Sequence, residues 1–417
     1  MLMLVKPRLC IKRVKLNTFW LAPLVCAILL VCFFISPKDV WNGLMSSTAI
    51  NPIKILILFL SMTILSIFLD EVGFFKYLAS AVVRKTGTNQ FKLFTALFIT
   101  VSIVTVFTSN DVVILTFTPF VCYFAKNAGI NPVPYLVAQF VAANTASMLF
   151  IIGNPTNIYL ATTSGITFLQ YLKVMALPTI FAIIVAYVVM LLLFWKKLRK
   201  PMTKPTGEKV VIENKPLLII GIVWLALCTV FIVISSYINF EMWIVAAVAV
   251  ICLAVSVLIF ILAKRKGARE LGHTLKRTPW DLIPFVISMF VLVIALEQYN
   301  VTEKLASLFG ESNPVITYGI ASTLLSNLVN NIPMSVLFSS ILSNLTSAVA
   351  LPGVYAAIIG SNIGAFLTPL GALAGIMWLS ILRDNNVKFN FLSFVKYGFL
   401  IAIPVLFAAL LGLFLVV

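Results

Sequence analysis

Val106-Phe107-Thr108-Ser109-Asn110-Asp111-Val112-Val113 sits at the centre of an apolar region, about 91–127, and puts four consecutive polar residues where a membrane span would hold none. At roughly 1.5 Å per residue the whole region is too long for one helix across a hydrocarbon layer about 30 Å thick, and each half is short for a complete span. It reads either as two tight spans or as a re-entrant hairpin that turns inside the membrane and returns to its starting side. A second region, about 314–349, has the same character, broken by Ser326-Asn327 and then Asn330-Asn331-Ile332-Pro333.

Composition sets the solvent around these breaks. Hydrophobic residues make up 61% of the 417-residue chain and charged residues 10%, with a mean hydropathy of +1.10. Soluble domains carry about 25% charged residues, so this chain cannot cover a water-facing surface. A soluble enzyme, a disordered regulator and a secreted disulfide scaffold are excluded together. The net charge of +17 does not indicate nucleic acid, because the basic residues fall between apolar runs, where they act as topology signals. Of the cysteines, Cys26 and Cys32 are close enough for a soft-ligand site to be weighed, but apolar surroundings favour a packing role. The single histidine, His273, lies in a basic loop, and no phosphate-binding GxxxxGK[ST] occurs. Neither a cofactor nor enzymatic activity is expected, and the bilayer is the principal partner.

Apolar runs near 19–36, 53–69, 133–160, 177–195, 216–236, 241–263, 281–297, 352–380 and 391–416 complete the set of spans. With the N-terminus in the cytoplasm, 26 Lys and Arg fall inside and only Lys38, Lys54, Lys173 and Lys304 outside, as the positive-inside rule requires. The expected protein is a multi-pass cell-membrane protein with a cytoplasmic N-terminus and an external C-terminus. Its expected organisation is a basic cytoplasmic tail (1–17), a first transmembrane repeat (18–195), a cytoplasmic linker with a connecting span (196–238) and a second transmembrane repeat (239–417).

The two halves echo each other. Asp70 followed by Leu78-Ala79-Ser80 returns as Glu297 followed by Leu305-Ala306-Ser307; Phe168-Leu169-Gln170-Tyr171-Leu172-Lys173 returns as Phe391-Leu392-Ser393-Phe394-Val395-Lys396; Asn144 and Gly153 return as Asn362 and Gly371. The copies face opposite ways on the topology above. The fold class is therefore an all-α polytopic membrane protein with inverted-topology repeats, each holding a re-entrant hairpin and a broken helix. That architecture is common among secondary transporters, which bind solute and ions near the midplane.

Four polar clusters interrupt the apolar segments, and their residues are the candidate binding set: Ser109, Asn110 and Asp111; Asn144, Thr145, Gly153, Asn154, Thr156 and Asn157; Asn327, Asn330 and Asn331; and Ser361, Asn362, Thr368 and Gly371. Pro and Gly in such segments free backbone groups, half-helix N-termini attract oxygen-rich or anionic groups, and carbonyls and amides can hold a cation. Gly360/Gly364 and Gly371/Gly375, each spaced as GxxxG, equally suit close helix packing. Asp111 is the only acid in the middle of an apolar stretch, and an unpaired charge there is expensive. It is the candidate proton carrier, and with Asn110 and Asn331 a candidate sodium site. Asp70, Glu71 and Glu297, at span ends, are explained by interfacial exposure and are secondary candidates as relays.

Leu69-Asp70-Glu71-Val72-Gly73-Phe74-Phe75, Asn110-Asp111-Val112-Val113-Ile114-Leu115-Thr116, Asn330-Asn331-Ile332-Pro333 and Thr368-Pro369-Leu370-Gly371-Ala372-Leu373-Ala374 resemble motifs of the arsenical pump membrane protein family, within the ion transporter superfamily. The resemblance runs from about residue 19 to the end. It implies inverted repeats with two hairpins and two broken helices, and export of arsenite or antimonite by proton antiport, with or without a separate ATPase subunit. Two positions depart from it. The family's Ala-Asp-Thr-Ala-Ser reads Ala143-Asn144-Thr145-Ala146-Ser147, and its Gly-Cys-Asp-Leu-Gly reads Gly360-Ser361-Asn362-Ile363-Gly364. Both changes replace a carboxylate by its amide, at symmetry-related places, and leave Asp111 as the main acid. Gly153-Asn154-Pro155-Thr156-Asn157 looks like the broken-helix motif of the wider superfamily, which also carries carboxylates, sulfate, phosphate and sodium. The expected activity is thus proton-coupled efflux of arsenite, antimonite or a similar small oxygen-rich solute. The alternative is a sodium-coupled carrier for a small carboxylate, sulfate or phosphate, or a sodium/proton antiporter. A homo-oligomer is compatible with either.

Overall fold

The structure is a computed structural model that describes residues 8–11, 14–17, 21–31, 35–44, 51–203, 211–238, 240–264 and 269–417. Cys32 and the basic residues Lys6, Lys12, Arg13, Lys204, Lys209, Arg265 and Lys266 lie outside the described residues. A short antiparallel ribbon, β1 (Arg8–Ile11) paired with β2 (Val14–Asn17), precedes the helices.

After α1 (Leu21–Val31) and α2 (Pro37–Leu44), the first repeat runs α3 (Pro52–Glu71), α4 (Phe74–Thr86), α5 (Gln90–Phe107), α6 (Asn110–Asn127), α7 (Val133–Ala146), a single 3-10 turn at Ile151–Gly153, α8 (Pro155–Thr163) and α9 (Phe168–Leu198). Two long helices, α10 (Lys215–Ile238) and α11 (Met242–Lys264), and the short α12 (Arg269–Arg277) follow. The element order of α3 to α9 then returns as α13 (Leu282–Gln298), α14 (Val301–Phe309), α15 (Pro314–Val329), α16 (Asn331–Ser343), α17 (Ser347–Gly364), α18 (Leu373–Asp384) and α19 (Phe391–Phe414). Element for element the order is the same: a span, a short helix, two hairpin arms, two half-helices around a break, and a final span. Between equivalent points the chain crosses on α3, on the α7–α8 pair, and on α9, α10 and α11. An odd number of crossings turns the second copy upside down.

Local chemistry fixes the interruptions. Thr108 and Ser109 are extended (φ −133°, ψ 170° and φ −67°, ψ 130°), so α5 stops and α6 restarts at Asn110. In the second hairpin one residue makes the turn: Asn330 has φ +79° and ψ 154°, outside the left-handed helical well and in a region that residues other than Gly rarely enter. Its side-chain oxygen then accepts from the Ile332 N–H at 3.3 Å to cap α16. The first broken helix restarts at Pro155, whose missing N–H costs nothing at a helix start, with Asn154 as N-cap. The second restarts at Leu373 after an extended Ala372.

The repeats interlock. In each, the first hairpin arm packs along the first half of its own broken helix, α5 on α7 and α15 on α17. The second arms bridge the repeats: α6 packs on both α7 and α18, and α16 on both α17 and α8. Gly360 and Gly364 make the α15–α17 contact what it is. A Cβ on Gly360 would meet the Ser322 hydroxyl at 2.0 Å and the Gly319 carbonyl at 2.3 Å, and one on Gly364 would meet the Ser326 hydroxyl at 2.2 Å. For this pair the packing reading of GxxxG holds.

Eight helical stretches among the described residues are long and apolar enough to cross a membrane. Gln90–Phe107 is one of them by length and composition, yet in the fold it is a hairpin arm. The span placed near 177–195 begins earlier, at Phe168, because Thr167 and Gln170 form a capping box. Two further expectations need correction. Asp70 is not exposed at an interface: it is 6% exposed, and Arg277 Nη2 lies 2.7 Å from its Oδ2. His273 is not in a loop but on α12, with Nδ1 3.4 Å from Glu71 Oε2, and Glu71 also pairs with Arg277. A carboxylate near a span end is buried here because a basic helix some two hundred residues later, α12, folds back to neutralise it. Cys26 is buried and its thiol donates to the Ser288 carbonyl at 3.0 Å, a packing contact between α1 and α13.

Candidate functional site

Asn110, the first residue of α6, points its amide at the broken helix of its own repeat: Nδ2 donates to Asn144 Oδ1 at 3.1 Å. The preceding turn is anchored by the Ser109 N–H, which donates to the Ser66 hydroxyl at 3.1 Å. Asn144 closes on its own helix, Nδ2 donating to the Phe140 carbonyl at 2.8 Å. From there Ser147 carries the network across the repeats. Its hydroxyl lies 2.9 Å from the Asn144 carbonyl and 2.9 Å from Asn362 Oδ1.

Asn362 is the hub. Its oxygen also accepts from Asn154 Nδ2 at 2.8 Å, while its Nδ2 donates to Asn157 Oδ1 at 2.7 Å and to the Ile358 carbonyl at 2.8 Å. Asn157 in turn donates to the Ser147 carbonyl at 2.8 Å, and the Ser361 and Thr156 hydroxyls pair at 2.8 Å. Gly153 lets the break fold this tightly, since a Cβ there would stand 2.4 Å from the Ser147 carbonyl oxygen. Asn110, Asn144, Asn154, Thr156, Asn157, Ser361 and Asn362 are all 1% exposed or less. A buried polar network of this kind is tolerable only when its members find partners.

The second cluster starts one helical turn along α17. Asn327 Nδ2 donates to the Gly364 carbonyl at 3.1 Å, and its Oδ1 accepts from the Thr368 N–H at 3.1 Å and the Thr368 hydroxyl at 2.6 Å. The hairpin tip docks on the break through backbone: the Asn331 N–H donates to the Gly371 carbonyl at 3.1 Å, and Asn330 Nδ2 to the Leu370 carbonyl at 3.4 Å. Gly371 is required by space, its Cβ position being 2.2 Å from the Gly364 carbonyl oxygen.

Four side chains in the candidate set make no hydrogen bond or ion pair among the described residues, the Ser109 hydroxyl being one. The Asp111 carboxylate makes no hydrogen bond or ion pair among the described residues, although its N–H is held by Asn110 Oδ1 at 2.9 Å. The Asn331 amide makes none, and the buried Thr145 hydroxyl has no acceptor or donor. The N-termini of α6 and α8 belong to the first cluster and those of α16 and α18 to the second, partial positive ends of helices that begin inside the bundle. Such a centre suits an oxygen-rich solute, and one carboxylate within it is the natural place for a proton or a cation. Of the suggested sodium trio, Asn110 and Asp111 are adjacent on α6, but Asn331 belongs to the second cluster and bonds to neither.

The sequence pointed to the asparagines and missed Ser147 and Ser66. Ser147 lies one turn after Asn144, a spacing that could have found it, but its symmetry counterpart is Ala365, so the repeat gave no prompt. Ser66 is a single hydroxyl inside α3 that back-bonds to the Met62 carbonyl at 2.9 Å, and nothing in the sequence distinguishes it from any other helical serine.

Interlocked inverted repeats, in-membrane hairpin tips and a polar centre define a helical membrane transporter. The chain belongs to the CitMHS citrate transporter family, whose model matches residues 9–354. It is 29% identical over 414 residues to the arsenical pump membrane protein of Escherichia coli (strain K12), spanning 94% of this chain and 92% of that one. A putative arsenical pump membrane protein of Bacillus subtilis (strain 168) is 24% identical, with 81% of each chain covered. Among solved structures, the Alcanivorax borkumensis YdaH transporter, described as having an unusual topology, superposes with a TM-score of 0.59 over 95% of both chains at 12% identity. That likeness concerns the fold alone. The expected resemblance to arsenical pump membrane proteins is borne out over most of the chain.

Proposed function

We propose that this transporter exports arsenite, antimonite or a similar small oxygen-rich solute in exchange for protons, with Asp111 as the proton carrier. The observation that carries the reading is the connected amide–hydroxyl network around a single unpartnered carboxylate. Arsenite is largely an uncharged trihydroxide at neutral pH, so it needs hydrogen-bond donors and acceptors rather than a counter-charge. Asn144 and Asn362, neutral where the family resemblance expects acids, leave one titratable group to follow the gradient. The N-terminus is assigned to the cytoplasm and the C-terminus to the outside, on the charge split among connecting segments. The chain works alone or with an ATPase subunit.

The match to a citrate transporter family supports a second reading, a sodium-coupled carrier of a small carboxylate. In it Asn110 and Asp111, with Asn331 on the opposite tip, would hold the cation, and the four helix N-termini would face the carboxylates. Uptake into everted vesicles separates the two. Arsenite accumulation driven by a proton gradient and indifferent to sodium supports the first; citrate accumulation that requires sodium and ignores the proton gradient overturns it.

A further inference from the structure

At the end of the bundle where α10 ends and α11 begins, away from the polar network, a charged cavity lies beside an apolar groove. The cavity, about 290 Å³, lies between the start of α3, the turn from α8 into α9, the end of α10 and the start of α11. Lys54 and Glu241 stand in its wall with Nζ 2.8 Å from Oε1, and the Trp243 indole donates to the other carboxylate oxygen. Hydrogen bonds from Lys54 and then Trp243 hold the Glu241 carboxyl below its ordinary range, so it is ionised at neutral pH. Thr162 and Ser236 also line the wall, and their hydroxyl oxygens are buried with no hydrogen-bond partner among the described residues. Buried orphan hydroxyls are costly unless something in the cavity completes them.

The groove, about 410 Å³, runs between α10 and α11 and is lined by Phe231, Ile234, Ile238 and Val248 among others. Ser235 and Phe240 line both spaces, which places them side by side. Among the described residues these two helices are the least covered candidate spans, 28% and 22% buried, so the groove opens toward hydrocarbon.

We propose that the combined space is a binding site for one phospholipid with a zwitterionic, primary-amine headgroup, its head in the cavity and one acyl chain in the groove. Lys54 faces the phosphate, Glu241 the ammonium, and the Thr162 and Ser236 hydroxyls donate to phosphate or ester oxygens. A purely anionic headgroup would leave Glu241 beside a like charge, and a small soluble solute would leave the groove empty. The assignment is independent of what the transporter carries.

The test is native mass spectrometry of the delipidated full chain, titrated separately with phosphatidylethanolamine and phosphatidylglycerol. One phosphatidylethanolamine per chain should bind about tenfold more tightly than phosphatidylglycerol, the worth of one charge-assisted hydrogen bond. Glu241→Gln, a surface change that spares the fold, should abolish that preference; Lys54→Gln should weaken both lipids. Val248→Trp, at a position 50% exposed in the groove, should weaken both lipids while thermal stability stays unchanged. Equal binding of the two lipids, untouched by Glu241→Gln, marks unspecific boundary lipid and overturns the proposal. So does a dimer that Val248→Trp splits with no change in bound lipid, which makes the groove an interface between copies. Phosphoethanolamine binding undiminished in Val248→Trp, with no lipid bound, assigns a small-solute pocket and overturns it as well.

Discussion

Asn144 and Asn362 occupy equivalent places in the two repeats, yet replacing each by Leu should have unequal consequences. Leu is close in size, so the change removes hydrogen bonds more than packing. At position 362 it orphans two buried groups, Asn154 Nδ2 and Asn157 Oδ1, whose only partner among the described residues is the Asn362 amide. Ser147 keeps its bond to the Asn144 carbonyl. At position 144 it orphans one, Asn110 Nδ2. An unsatisfied buried polar group costs about 1–3 kcal/mol, and in a membrane the unfolded reference also finds partners, which pulls each value toward the low end. Asn362→Leu should therefore cost roughly 2–4 kcal/mol and Asn144→Leu about half of that. Equilibrium unfolding in mixed detergent micelles reads the difference directly. Equal losses, or a larger loss for Asn144→Leu, would refute the picture of Asn362 as the hub.

Gly371→Ala should abolish transport and lower the melting temperature, because its new methyl meets the Gly364 carbonyl; Gly272→Ala, where nothing lies within 4 Å, should behave as wild type in both assays. Arg277→Ala leaves the Asp70 carboxylate buried and unpaired, and should destabilise by about 1–3 kcal/mol, less than a fully buried pair because Arg277 is itself half exposed, with Asp70→Asn restoring much of the loss. Reporter tags at 200–212 and 265–277 should report cytoplasm and a tag after Val417 the outside; a cytoplasmic C-terminus refutes the orientation.

Much of this fold was legible because the bilayer simplifies the grammar. In lipid any polar cluster inside an apolar run must be satisfied by the protein, so Thr108 to Asp111, Asn330-Asn331 and the two breaks announced themselves. Repeat symmetry then paired Asn144 with Asn362, and the structure joins these two through Ser147. What the sequence could not carry was contact between segments far apart along the chain. The burial of Asp70 depends on Arg277, some two hundred residues later, and the crossing of α6 onto α18 and α16 onto α8 has no local signature. Helix ends were misjudged where a cap, as at Thr167, extends a helix beyond its apolar stretch. The Lys54–Glu241 cavity escaped notice for the same reason, since each residue alone is an ordinary boundary charge.

The central claim is that one carboxylate couples the gradient to the solute, and Asp111→Asn in reconstituted vesicles tests it most directly. The amide keeps the shape and most hydrogen-bonding capacity and is less costly to bury than an unpaired carboxylate, so the protein should assemble normally. With arsenite as the solute, uptake driven by an imposed proton gradient should vanish while arsenite-for-arsenite exchange continues, and Asp111→Glu should retain partial driven uptake with a shifted pH profile. Glu303→Gln and Glu311→Gln, outside the polar breaks, should transport as wild type. Driven uptake at the normal rate in Asp111→Asn contradicts the account.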